Sequence, residues 1–555
     1  MRPWTVRRAL LGSAGLTLII FGAALYLLRH AIFGKIVNNV LSLTPNSKAY
    51  EMWRDTDKMN TYLDIYFFNW TNPEDLLDLS KKPNLVQLGP YSFRERREKV
   101  NIVFHPENDT VSYQQRRTWF LDKSRSNGSL DDKICELNVV AVSAAEKTRF
   151  WPYMMQQSLS YMLDQFSSKY YVVKTVDELL FTGFEDHLIS MGRMSGLDDT
   201  APPFDRFGWF YERNGSTMFD GTNNMATGVN DIENLGKVLK WNYQNATNYY
   251  ESPCNAIEGS AGEFWPPYRT TEDIRLFTPD ICRPVTYEFE KEVVYKGIQG
   301  YKFALGKKTL SNDTRRHYPH QQFKYVESMT TAEGFSSADP TVIKPQPEID
   351  RDFKEMNEGK CYCNGECSPM GVLNITACRY GAPGFISLPH FNRGDKVLAS
   401  SFTGLQPVDD KHSFYITLEP TTGIPIDVAA RLQVNILLRP SKSVVMFKDV
   451  PTLYFPMFWF EMKVGIPDDM VGNLKLFLNL TTILMITGLA LVLIGSFILF
   501  GVAANYYANY QHQFTQNKPN GVDMSQVKTE VVYMDKAGTS EDTQTRTDRR
   551  LHPKL

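Results

Sequence analysis

Cysteine and histidine pose the first chemical question, because their spacing could hold a metal, form disulfides or supply a nucleophile. The chain has seven cysteines: Cys135, Cys254, Cys282, Cys361, Cys363, Cys367 and Cys378. Thiolates at Cys361, Cys363, Cys367 and Cys378, in CYCNGECSPMGVLNITAC, could in principle surround a tetrahedral ion. The step from Cys361 to Cys363 misses the usual C-x2–4-C repeat, so zinc fits poorly and no metal site is expected. In an extended segment those two side chains point to opposite sides and would serve different bridges. His317 and His320, in HYPH, lack evident companion ligands. There is no G-x-S-x-G elbow, H-E-x-x-H, Walker loop or dinucleotide fingerprint, and GSAG at 259–262 lacks the nucleophile of an elbow. The reading is therefore of a non-enzyme with no catalytic residue and no cofactor. CNAIEGSAGEFWPP, 254–267, reads instead as a rigid corner: Gly259 and Gly262 permit turns, while Pro266 and Pro267 restrict the backbone.

Two apolar runs frame these residues. Leu10–Leu28 and Leu476–Ala504 contain no charged residue. A helix over the first rises about 28 Å, close to the hydrocarbon thickness of a bilayer. Arg2, Arg7 and Arg8 precede it, against Arg29 and Lys35 after it, which favours a cytoplasmic N-terminus. A cleaved secretory signal is the alternative, but the run exceeds the usual apolar core of about 7–15 residues. The chain thus divides into a short cytoplasmic N-terminus (1–9), a membrane helix (10–28), an exported region (29–475), a second membrane helix (476–504) and a polar, disordered cytoplasmic tail (505–555). All seven cysteines lie between the runs, where an oxidising compartment makes disulfides the default. The odd count leaves one thiol, and the isolated Cys135 is expected to be free and buried. Glycan acceptor triplets at Asn69, Asn108, Asn127, Asn214, Asn245, Asn312 and Asn374 also lie between the runs. The formal net charge of -2 gives no indication of a nucleic-acid partner.

Much of the exported region reads as antiparallel β structure. TYLDIYFFNW (61–70) and VNIVF (100–104) look extended, and 432–438 alternates apolar residues with Gln433 and Asn435, the pattern of a strand with one buried face. Pro420–Gly423 reads as a turn before it. PTLYFPMFWFEMKVGIP, 451–467, reads as a buried strand rather than a third crossing. In WPYMMQQSLSYMLDQF, Met155, Leu159, Met162 or Leu163, and Phe166 share a helical face, with Gln156, Gln157, Ser160 and Asp164 largely elsewhere. A second helix is expected over 175–188, with Thr175 and Glu178 forming a capping box.

FFNWTNPED (67–75), LGPYSFRERREK (88–99), YESPCNAIEGSAGEFWPP (250–267), DICRPV (280–285), CYCNGECSPMGVLNITAC (361–378), GFISLPHF (384–391) and RLQVNILLRP (431–440) together resemble the CD36 family, the class B scavenger receptors. The resemblance spans nearly the whole exported region. It implies a mixed β and α fold: a large antiparallel β-barrel-like ectodomain with an apical helical bundle and an internal apolar tunnel, anchored by two transmembrane helices. It pairs Cys254 with Cys361, Cys282 with Cys378 and Cys363 with Cys367, leaving Cys135 outside the pattern. It implies a plasma-membrane receptor, cycling through endosomes, that captures lipids or lipoproteins and passes hydrophobic cargo through the tunnel. The cargo would be fatty acids, sterols, carotenoids, phospholipids or lipoprotein particles. The alternative is an adhesion or endocytic sorting receptor that binds a protein or particle at the apex without tunnel transport. Lys169 and Lys174 fall where basic residues of relatives engage acidic ligands, although solvated lysine is the plainer reading and Asp177 and Glu178 would offset the charge. Phe166, at the same edge, either contacts lipid or, the plainer reading, finishes the helix packing. The terminal leucine of DRRLHPKL is a candidate adaptor contact.

Overall fold

The computed structural model describes residues 3–54, 61–166, 168–195, 204–317, 355–363 and 365–516. They divide into two compact units, one drawn from Met1–Leu27 with Met485–Leu555 and the other from Leu28–Leu484.

In the first unit the opening part of helix α1 (Pro3–Leu41) packs against part of the helix Leu480–Gln516. Both helices are long and apolar enough to cross a membrane. A Cβ on Gly22 would stand 2.6 Å from the Gly488 carbonyl oxygen, and one on Gly495 the same 2.6 Å from that of Gly15. These glycines let the two backbones approach closely, which suits helix pairing where lipid offers no hydrophobic drive. The helix extends to Gln516, so Asn505–Gln516, expected to be disordered tail, is helical. The apolar run at 476 instead begins in a separate helix, Asp468–Leu478. Residues 517–555, including the terminal leucine, lie outside the described residues, as does His320.

The second unit is built on strands. In chain order they are β1 (Tyr62–Trp70), β2 (Leu85–His105), β3 (Thr110–Leu121), β4 (Lys133–Leu137), β5 (Tyr171–Thr175), β6 (Phe184–Glu185), β7 (Arg206–Phe207), β8 (Thr222–Ala226), β9 (Val238–Trp241) and β10 (Ile274–Thr278). There follow β11 (Arg283–Tyr295), β12 (Ile298–Leu305), β13 (Arg315–His317), β14 (Glu355–Asn357), β15 (Val372–Asn374), β16 (Gly384–Ser387), β17 (Tyr415–Leu418), β18 (Pro425–Leu438) and β19 (Leu453–Gly465). Among the described residues, thirteen strands form one sheet in the order β10-β11-β12-β17-β18-β19-β1-β2-β3-β8-β9, with β16 on β18 and β15 on β16. Lys296 and Gly297, both with positive φ, turn β11 into β12 through the two-residue hairpin that such angles favour.

The outer strands β9 and β10 are joined through the stretch 254–267. The Val238 N–H donates to the Gly259 carbonyl at 2.9 Å, and the Phe277 N–H donates to the Ser260 carbonyl at 2.9 Å. Ser260 therefore bridges both edges, and the sheet is nearly a closed barrel. Closure removes edges that would otherwise recruit other chains. Gly259 is required there: its φ is 107°, and a Cβ would meet the Arg275 carbonyl oxygen at 2.8 Å.

Two expectations need correction. Gln433 and Asn435 are fully buried, so β18 has two covered faces rather than one. Asn435 Nδ2 donates to Ser387 Oγ at 3.0 Å, and Gln433 Oε1 accepts from the His390 N–H at 2.6 Å, which makes their burial tolerable. The 175–188 segment is not one helix. The Thr175–Glu178 capping box forms, with the Thr175 N–H donating to Glu178 Oε2 at 2.9 Å and the Glu178 N–H to Thr175 Oγ1 at 3.2 Å. Only a single wide turn follows, Glu178–Thr182, before Gly183 adopts φ 68° and the chain enters β6. A new helix then starts at His187.

Candidate functional site

Helices α2 (Lys48–Arg54), α3 (Val139–Lys147), α4 (Tyr153–Gln165) and α5 (His187–Ser195) complete the part of the fold needed here. The Asn138 side chain caps α3 by accepting from the Ala141 N–H, and its Nδ2 donates to the Lys169 carbonyl at 3.0 Å. That carbonyl anchors the segment leading from α4 into β5.

The three expected capture residues sit along this segment. Phe166 closes α4, remains 39% exposed and stacks on His187 with ring centroids 4.5 Å apart. Lys169 Nζ donates to Tyr171 Oη at 2.8 Å and lies 3.5 Å from Glu74 Oε1. The Tyr171 hydroxyl itself donates to Glu74. That bond, with help from Lys169, holds the Glu74 carboxyl below its usual range. Lys174 lies 3.9 Å from Glu178 and over the Phe184 ring. Each lysine thus has an acid beside it. Glu178 was foreseen, but Glu74 is distant in sequence and was not.

A second feature escaped the sequence reading. Phe150, Met154, Tyr161 and Tyr153 are 76%, 73%, 66% and 64% exposed. On α4 itself, Tyr153, Met154 and Tyr161 fall within about 100° of helix rotation. The opposite face buries Leu159 and Leu163. Ser160, expected on the polar face, is also buried, where its Oγ accepts from the Val445 N–H at 3.0 Å. The helix is therefore apolar on two sides, and one of them faces solvent. Large apolar side chains grouped on a surface mark contact sites.

The buried face of β2 and β3 carries charge. Glu95, Arg97 and Lys99 occupy alternate positions of β2 and so share one side. Lys99 Nζ lies 2.6 Å from Glu263 Oε1, and Trp53 Nε1 donates to Glu263 Oε2 at 2.8 Å. Arg213 lies 2.8 Å from both Asp220 and Asp280, while Arg117 lies 3.1 Å from Asp220. Burial alone would raise the carboxyls of Asp220 and Asp280, but Arg117 and Arg213 reverse this and hold both low. Burial also lowers the Lys99 ammonium, opposed by Glu263. The network meets apolar groups on several sides: Lys99 lies over the Tyr113 ring, and Arg97 contacts Met462 Sδ at 3.2 Å.

The structure joins Cys254 to Cys361, Cys282 to Cys378 and Cys363 to Cys367. Cys135 is free but only half-buried, not fully buried as expected. Burial, with Glu136 beside it, pushes its thiol up to about 11, so it is protonated and a poor nucleophile at neutral pH. The glycan acceptors divide by exposure. Asn108, Asn127, Asn214 and Asn245 are exposed, whereas Asn69, Asn312 and Asn374 are half-buried. Asn312 Nδ2, the atom that would carry sugar, donates to the Ser368 carbonyl. Glycopeptide mass spectrometry is expected to find Asn108, Asn127 and Asn245 largely occupied and Asn312 largely bare. High occupancy at Asn312 would contradict this placement.

Comparison with known proteins gives a consistent picture. A family model described as the CD36 family matches residues 13–506. The chain is 33% identical over 473 residues to Protein peste of Drosophila melanogaster, covering 84% of this chain and 77% of the relative. It is 30% identical over 453 residues to Scavenger receptor class B member 1 of Rattus norvegicus, covering 81% and 79%. It is 27% identical over 504 residues to Lysosome membrane protein 2 of Homo sapiens, covering 90% and 94%.

Proposed function

The chain belongs to the CD36 family, and from that premise we propose that it is a non-enzymatic cell-surface scavenger and lipid receptor. It captures lipids or lipoproteins at the α4 region and passes hydrophobic cargo through the ectodomain toward the membrane. Both termini are cytoplasmic in this reading, and the receptor cycles through endosomes.

The observation that carries the reading is the exposed apolar face of α4 with Phe150 before it. Covering such surface is favourable by about 25 cal/mol per Å², so an apolar particle surface or lipid is a suitable occupant. Lys169 adds a weaker attraction for anionic groups, since Tyr171 and Glu74 already engage it. Fatty acids, sterols, carotenoids and phospholipids remain the cargo classes, with an adaptor contact at the terminal leucine.

A second reading, adhesion or endocytic sorting of a protein or particle without tunnel transport, draws on the buried ion network. Hydrocarbon passing those charges would meet groups that disfavour it.

Lipoprotein binding to cells displaying the full chain tests capture. Met154→Glu is expected to weaken binding about tenfold with display intact, because a charge is set into a covered apolar contact. Lys169→Glu is expected to weaken binding of anionic particles roughly two- to fivefold. Binding unchanged by Met154→Glu would remove α4 from the capture surface, and binding unchanged by Lys169→Glu would dismiss the charge.

A further inference from the structure

A depression lined by Arg275, Arg283, Thr286, Asn312, Ser368 and Asn374 lies on the face of the barrel that carries the disulfides. Its two arginines differ in kind. Arg275 is neutralised: it pairs with Glu358 and lies 3.3 Å from Glu258. Arg283 is only 5% exposed, and its Nε is buried with no acceptor. Among the described residues no acid pairs with it and no oxygen accepts from it. Its guanidinium lies over the Tyr362 ring, 4.1 Å from the centroid. Stacking holds the plane in place but leaves the in-plane N–H donors unused.

The position of Arg283 is fixed from both sides. It opens β11 immediately after Cys282, which is bonded to Cys378, and Tyr362 follows Cys361, which is bonded to Cys254. Two disulfides therefore hold the guanidinium and the ring beneath it. A planar fork of donors kept rigid inside a partly enclosed polar pocket matches the two oxygens of a carboxylate or phosphate. Thr286 and Asn374 line the same space, although the Asn374 Oδ1 already accepts from the Thr376 N–H.

We infer that this pocket is an oxyanion site anchored by Arg283, built to take a phosphate or carboxylate group. It is separate from the α4 capture surface and does not depend on the proposed transport. The oxyanion is either a free ion or the head of an anionic lipid.

The test uses the full chain in detergent micelles, with ionic strength held constant by chloride. Equilibrium dialysis against radiolabelled inorganic phosphate is run beside a titration with dihexanoyl phosphatidic acid. The wild-type chain is expected to bind one phosphate group saturably, with at least tenfold weaker binding in Arg283→Gln and partial recovery in Arg283→Lys. Binding of both probes identifies a site open to free anions, and binding of the phosphatidic acid alone assigns the group to a lipid head. Asn374→Asp, nearly isosteric, sets a negative charge in the same pocket and should also abolish binding if Arg283→Gln fails to fold. Neither probe binding the wild-type chain, or binding that survives Arg283→Gln or Asn374→Asp undiminished, overturns the proposal.

Discussion

Arg213→Met is expected to destabilise the ectodomain by about 3–5 kcal/mol and to abolish surface display. The reason is geometric. Arg213 lies 2.8 Å from both Asp220 and Asp280; the Asp220 carboxylate is largely out of water, and that of Asp280 is partly covered. Removing the cation leaves two anions with the longer contacts of Arg117, at 3.1 and 3.9 Å, a Gln115 hydrogen bond to Asp220 and the more distant charge of Arg379 near Asp280. The cost is that of uncompensated charge, not of one lost hydrogen bond. Adding Asp220→Asn should recover part of the loss, because it removes one stranded anion. Denaturant unfolding of the full chain in nanodiscs measures both variants, and a loss below about 1 kcal/mol for Arg213→Met would mean the network is solvated. The network itself is not acid-labile at endosomal pH. Carboxyls held low contribute stability above the ordinary carboxylate range and lose it only as pH falls through their depressed folded values.

Two histidines behave in the opposite pH region. His390 and His412 are buried, with rings stacked 4.4 Å apart. His390 Nδ1 accepts from the Gln406 N–H at 3.1 Å, and His412 Nδ1 accepts from the Val408 N–H at 3.0 Å. Each therefore needs a bare nitrogen, which protonation would remove. Burial, and then the neighbouring His412, lowers His390 to about 3. Burial, then Arg431 and Lys411, lowers His412 to about 4. The unfolded value is about 6.5, so the unfolded chain binds protons first as pH falls. Their contribution to stability is complete above about pH 6.5 and declines toward the folded values, by about 1.4 kcal/mol per pH unit for each histidine. From pH 7.4 to 5 the two together should cost about 4 kcal/mol. Unfolding of the full chain at a series of pH values measures this, and His390→Gln should flatten the profile. Equal stability at pH 7.4 and pH 5 would show that these imidazoles are not held neutral.

The legibility of the sequence varied with the range of the forces involved. Alternation along 432–438 announced β18, but not the burial of Gln433 and Asn435, which depends on β16 pairing alongside it. The capping box at Thr175 was readable because it is local. The end of that turn was set by Gly183, whose left-handed φ is imposed by the approach to β6. Nothing in FRERREK itself announced that alternate members face inward, because Lys99 finds Glu263 from far along the chain. The corner at 254–267 was legible as rigid from its glycines and prolines. Its task of joining β9 to β10 through Ser260 was not, since strand order is invisible to periodicity. On α4 the pattern held two apolar faces, and periodicity alone could not say which one the barrel would cover.

The central claim is that this receptor separates lipid from the particle that delivers it. Cells displaying the full chain can be given lipoprotein particles labelled once in their core lipid and once in their protein. The receptor reading predicts that the lipid label accumulates severalfold over the protein label at equal surface binding. Entry of both labels in constant proportion would contradict transport and favour particle endocytosis.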